Sequence, residues 1–146
     1  MNLLDGVMMA GLAEAMALTE QVCLHFLVNE PNALLLAFSV ASPTRFASPH
    51  QVGLRHQDVM EVLELGNLDC ELLREKGREM MEGTFTPTVA LKHQQKDLKL
   101  AVNLADEHHL PLITTAAANE LFKRARAMGY DEHDNSAIYR AAQYNS

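Results

Sequence analysis

An all-α fold is what this sequence predicts, and three observations carry it. Aromatic residues make up 5% of the chain with no Trp, while Ala, Leu and Met abound, a balance that suits helices and starves strands. Apolar positions recur at helical spacing, as in Leu98, Ala101, Val102 and Ala105. The 146 residues, 48% apolar and 21% charged, are enough for one core, so a single domain over 1–146 is expected.

The elements follow in order. Residues 2–21, NLLDGVMMAGLAEAMALTEQ, contain no Pro, and Ala10, Gly11, Ala13 and Ala17 predict a buried helix that neighbours approach closely. The apolar run is short and Glu14 interrupts it, so it is not a membrane span. From about 23 to 52 the composition changes. Lys and Asp are missing, Pro31, Pro43 and Pro49 punctuate it, and the run 33–41 reads as a short buried helix or strand or, equally, as a disordered apolar insertion. The dipeptide Gln-Val stands at both edges, at 21–22 and 51–52, and the resemblance of the flanking segments to the family whose motifs follow implies that the stretch is an atypical insert, from a retained intron or a gene-model error.

Beyond Gly53, HQDVMEVLELG sets Val59, Val62 and Leu63 at helical spacing and ends at Gly66, expected in the left-handed conformation that closes many helices. Asp69 is placed to cap DCELLREKGREMMEG, which Gly83 ends. Residues 84–87 read as an extended link. A helix from about Leu91 runs to the paired histidines and is stopped by Pro111. Thr114 or Thr115 is placed to cap TAAANELFKRARAMG, with Leu121, Phe122 and Ala125 on one face and Arg124 and Arg126 near its negative end. Asp134 is placed to cap the last helix, NSAIYRAAQY.

A net charge of −7 argues against nucleic acid as a direct ligand. Cys23 and Cys70 lie far apart without CxxC spacing and fit reduced thiols of an intracellular protein, with cytoplasm, mitochondrion and nucleus undistinguished. His108 and His109 beside Asp106 and Glu107 are the densest metal-type cluster. Adjacent helical side chains diverge by about 100°, and HExxH is missing, so no metal site is expected. Neither GxGxxG nor GxxxxGK[ST] occurs, so the 146 residues hold no phosphate cradle. Lys96 beside Asp97, in mid-helix, is the remaining candidate: an ammonium aimed at a cofactor phosphate or substrate carboxylate, or a solvated surface lysine.

The stretch QKDLKLAVNLADEHHLPLITTAAANELFKRARAMGYDEHDNSAIYRAA resembles the end of the β-hydroxyacid dehydrogenase family, which includes 3-hydroxyisobutyrate dehydrogenase and glyoxylate reductase. A KDL.LA helix, a loop reaching Pro, an A...LF..A...G helix and a final D.SA helix follow in that family's order. The start, NLLDGVMMAGLAEAMAL, is similar to the long helix after the family's KxxNN motif. GTFTPTVALKHQQKDLKLA and AAANELFKRARA look closest to the branch containing the cytokine-like nuclear factor N-PAC.

The resemblance implies a helical C-terminal domain of the 6-phosphogluconate dehydrogenase-like type, with no Rossmann domain in this chain. It implies that Asn2 is the second Asn of KxxNN, near substrate, and that Lys96 contacts the nicotinamide end of NAD or NADP when a Rossmann domain is present. The family's proton-transferring lysine would fall before Met1, leaving no catalytic residue here. The resemblance further implies a homo-oligomer through the first long helix, and small 3-hydroxy acids or glyoxylate as substrates of the complete enzyme. Along the nuclear-factor branch it implies instead a catalytically silent, oligomerising scaffold.

Overall fold

The computed structural model describes residues 3–29, 55–67 and 69–143, with backbone alone over 21–29. The described residues form α1 (Leu3–Asn29), α2 (His56–Leu65), α3 (Glu71–Glu82), α4 (Leu91–Glu107), α5 (Ile113–Ala127), a 3-10 turn (Asn135–Ala137) and α6 (Ile138–Ala142). The expected all-α class is what is found. Asn2 and the 33–41 run lie outside the described residues.

Every other element packs on α1. It can serve as a common axis because these inward positions are small or lack β-branching: Met9, Ala10, Leu12, Ala13, Met16 and Ala17 are all buried. At Gly6 a Cβ would lie 2.6 Å from Gln94 Nε2 and 2.9 Å from Leu98 Cδ2, so α4 crosses α1 where a side chain would intervene. The helix also runs about two turns past its expected end at Gln21, because no Pro or Gly stops it before Asn29. The first residues of the expected insert are thus helical backbone.

Four local expectations are corrected. Gly66 has φ −96° and ψ 176°, an extended and not a left-handed exit from α2. Asp69 does not cap α3: Cys70 holds that position without a side-chain bond, and Asp69 instead pairs with Arg74 at 3.3 Å. Thr114 and Thr115 lie inside α5, which opens at Ile113 after Leu112. Thr115 is buried there, so packing outweighs its capping tendency. In α2, Met60 is the buried residue and Val62 is exposed, a rotation set by Met60 lying over Gly77 of α3. Gly83 does close α3 in the left-handed region at φ 69°.

Asp134 caps as expected, accepting from the Ser136 N–H at 3.0 Å, but it does much more. Fully buried, it also accepts from Lys76 Nζ at 2.9 Å, from the Thr88 hydroxyl at 2.8 Å and from the Thr88 N–H at 2.9 Å. Lys76 is itself 2% exposed and reaches Glu79 at 3.2 Å, while Ser136 Oγ donates to Glu79 at 2.6 Å. One carboxylate thereby joins α3, the link before α4 and the C-terminal turn. Burial alone would push Asp134 up, yet the Ser136 N–H, the Lys76 ammonium and the Thr88 donors hold it far below the usual carboxylate range. Burial pulls Lys76 down, but Asp134 and Glu79 together raise it above an ordinary lysine. Glu79 is raised by burial, with repulsion from Asp134 adding to it.

Two outcomes are expected. Asp134→Asn should cost on the order of 3–5 kcal/mol in denaturant unfolding, because it strands the buried Lys76 beside a neutral group. Glu79→Gln, which leaves Lys76 its ion pair with Asp134, should cost less, about 1 kcal/mol. Because Asp134 titrates lower folded than unfolded, its contribution is complete above about pH 4 and is lost as pH falls toward the native value. Melting curves of wild type and Asp134→Asn should therefore converge on acidification, and curves that stay parallel would count against the ion pair. At the α1–α4 crossing, Gly6→Val should cost about 1–3 kcal/mol by overpacking against the buried Gln94 and Leu98, measured by urea unfolding.

Candidate functional site

Lys96 lies in the second turn of α4, and the surroundings of that helix explain where its side chain goes. The helix starts without a side-chain cap. Its first orphan N–H groups are satisfied by the later loop, Leu91 N–H donating to His133 O at 2.9 Å and Lys92 N–H to Asp131 O at 3.2 Å. Rotation about the helix axis is fixed on the α5 side. Gln95 donates to Asn119 Oδ1 at 2.8 Å and accepts from Arg126 Nη1 at 2.7 Å, and Arg126 in turn holds Asp131 at 2.6 Å. Gln94 and Leu98 are spent on α1.

With Gln94, Gln95 and Leu98 turned inward, Lys96 is left exposed, on a stripe with His93, Lys99 and Asn103. Among the described residues it makes no ion pair or hydrogen bond, unlike Lys76, Lys92 and Lys123. The Lys96 ammonium is consequently available to an anionic group brought from outside the chain. Lys96 lies about 200° round α4 from Gln94, so it does not point toward the start of α1. Asn2, one residue before α1 opens, is outside the described residues. His108 and His109 are exposed at the end of α4, His109 making the turn with φ 55°. Among the described residues no three His, Cys, Asp or Glu side chains gather as a metal site, and no helix is long and apolar enough to cross a membrane.

A second region carries more side-chain chemistry than Lys96. A cavity of about 600 Å³ is lined by Glu20, Phe85, Tyr130, His133 and Arg140, among others, and includes no residue of α4. Behind it, the Tyr139 hydroxyl donates to Glu20 at 3.2 Å and lies 3.3 Å from His56 Nε2. Burial first, then the Glu20 charge, push the Tyr139 hydroxyl up to about 12. It stays protonated and acts as a donor.

Sequence reasoning reached Lys96 and Asp134 but missed Lys76, Glu79 and the His56–Tyr139–Glu20 group. A signal existed for Lys76: with Leu73, Gly77 and Met80 it occupies the buried face of α3, where an unpaired ammonium is not tolerated. His56 and Glu20 carry no such signal, because nothing in the sequence says that these two positions meet.

Residues 32–142 match the family model described as the NAD-binding domain of NADP-dependent 3-hydroxyisobutyrate dehydrogenase. The chain is 38% identical over 144 residues to the cytokine-like nuclear factor N-PAC of Aedes aegypti, covering 99% of this chain and 20% of that protein. It is 38% identical over 93 residues to glyoxylate/succinic semialdehyde reductase 1 of Arabidopsis thaliana, covering 64% of this chain and 32% of the relative. The crystal structure of 3-hydroxyisobutyrate dehydrogenase from Salmonella typhimurium superposes with a TM-score of 0.64 at 25% identity, over 94% of this chain and 38% of that one. The part matched is that enzyme's C-terminal helical domain. The chain therefore spans about a fifth to a third of the length of these curated relatives. A helical fold built on one long axis and a family match over most of the chain lead to the same place: this chain belongs to the NAD-binding domain family of the 3-hydroxyisobutyrate dehydrogenases.

Proposed function

We propose that this chain is the helical domain of an NAD(P)-dependent 3-hydroxyacid dehydrogenase or glyoxylate reductase-like protein, in which Lys96 contacts the cofactor and α1 holds two copies together. The observation that carries the cofactor contact is Lys96 itself: exposed and unpartnered among the described residues, within the family-matched segment, on a helix whose rotation is locked by Gln95, Asn119 and Arg126. NAD or NADP, held by a nucleotide domain, would supply the hydride. This chain's residues would supply a cation at the cofactor and, through Asn2, a polar contact to a small 3-hydroxy acid or glyoxylate. With no phosphate cradle in its sequence, the chain alone is inactive on this reading.

The α1 surface supports the oligomer. Leu4, Gly11 and Leu18 are exposed at seven-residue intervals, with half-buried Met8 and Ala15 between them, giving a 3.5-residue stripe that a second α1 can pack against. The 38% identity with N-PAC across 99% of the chain favours a second reading, in which oligomerisation is retained and hydride chemistry is lost, as in a nuclear scaffold.

In the full-length protein, Lys96→Ala should weaken NAD(P) binding about tenfold by calorimetry while leaving the melting temperature within about 1 °C, since the ammonium holds nothing in the fold. Unchanged affinity would remove Lys96 from the site. Glyoxylate-dependent NADPH oxidation by the full-length protein separates the enzyme from the scaffold. Leu18→Glu should shift the sedimentation coefficient from dimer to monomer, and an unshifted value would rule α1 out as the interface.

A further inference from the structure

The cavity beside α6 holds a cation that the fold sets in place and does not neutralise. Arg140, in the middle of α6, is half-buried. Its guanidinium lies over the Phe85 ring, 5.5 Å from the centroid, and donates from Nη1 to Gln143 Oε1 at 3.2 Å. Gly83 makes room for the other arm, since a Cβ there would stand 3.0 Å from Arg140 Nη2. Arg55, Arg74 and Arg126 each hold an aspartate, whereas Arg140 has no ion pair among the described residues. Glu20 is the acid that lines the same cavity, and Gln143 stands between the two charges, its carbonyl on Arg140 and its amide on Glu20 at 2.7 Å. The Tyr139 hydroxyl donates to that same Glu20 oxygen.

We propose that this cavity is a binding site for a short monocarboxylate, seated on Arg140. A cation drawn partly out of water without a counter-ion is costly, and a ligand carboxylate relieves that cost. Gln143 and the Phe85 ring fix the plane of the guanidinium, and the N–H groups left over match the two oxygens of a carboxylate. Glu20 limits the charge of the ligand. One cation facing one nearby anion admits a single negative charge and disfavours a phosphate dianion. Tyr130 and His133, whose rings meet edge to face at 5.2 Å, line the same cavity and offer a hydroxyl and a ring nitrogen to a polar substituent. The cavity, about 600 Å³, falls within the usual range of small-molecule sites, about 300–1,000 Å³. No residue of α4 lines it, so the site is distinct from the contact proposed for Lys96 and does not depend on it.

The probe is lactate, which carries one carboxylate and one hydroxyl, titrated into the 146-residue chain at fixed ionic strength and followed by the ring-proton NMR shifts of Tyr130 and His133. It should saturate one site per chain at roughly millimolar concentration. Lactamide, the neutral isostere, and phosphate should each bind about tenfold more weakly or worse. Arg140→Gln should weaken lactate binding about tenfold or more, and Arg140→Lys, which keeps the charge but loses the planar fork, about threefold to tenfold. Should Arg140→Gln lose its cooperative melt, the Arg140→Lys comparison decides. The proposal is overturned by no saturation up to about 50 mM, by lactamide or phosphate binding as tightly as lactate, or by unchanged affinity in a folded Arg140 variant.

Discussion

A helix on which every other described element packs has to be thin, and that constraint on α1 organises the rest of the molecule. Five helices and a 3-10 turn converge on it, so its inward positions carry no bulky β-branched or aromatic side chain from Met9 to Ala17. Ala10, Ala13 and Ala17 set the spacing, the Met9 and Met16 side chains fill the irregular gaps, and Gly6 lets α4 come closest. What α1 does not give to its own chain is a narrow outer stripe at a 3.5-residue period. The same slimness that makes a good core axis leaves Gly11 as a shallow point on that stripe, where a Cβ would meet nothing within 4 Å.

The two lysines of most interest show opposite uses of one side chain. Lys76 is sealed from solvent among Asp134, Glu79 and Thr88, where its charge is consumed in joining three segments. Lys96 is exposed, and its helix is oriented by the hydrogen bonds of Gln95 and by the packing of Gln94 and Leu98 at Gly6. On the proposed function, stability and recognition fall to different residues of similar chemistry. The cation facing outward can answer to an incoming anion because the fold asks nothing of it.

The sequence made the helices legible where periodicity and a stop signal coincided. The left-handed Gly83 and the cap at Asp134 stand where they were expected, since each is set by local backbone chemistry. Expectations failed where a distant contact decided. Thr115 has capping chemistry, but burial against the core draws it into α5. Val62 fits the apolar spacing of α2, yet Met60 takes the inward position because Gly77 offers it room. Lys96 was legible as a candidate, whereas its rotation away from α1 follows from the Gln95–Asn119–Arg126 bonds, which join residues 24 and 31 positions apart. His56, Tyr139 and Glu20 fall furthest from view, since their meeting is a property of the closed chain.

That last meeting bears on how the molecule assembles. The Tyr139–Glu20 hydrogen bond spans 119 residues and the Thr88–Asp134 bond spans 46, while α4 and α5 are joined by a short turn at His109. Bringing distant residues together costs loop entropy that the intervening contacts must first offset. Contacts at Glu20 therefore carry a larger loop-closure cost than those within α4 and α5, and a probe placed on Tyr139 would report this long-range closure of the chain.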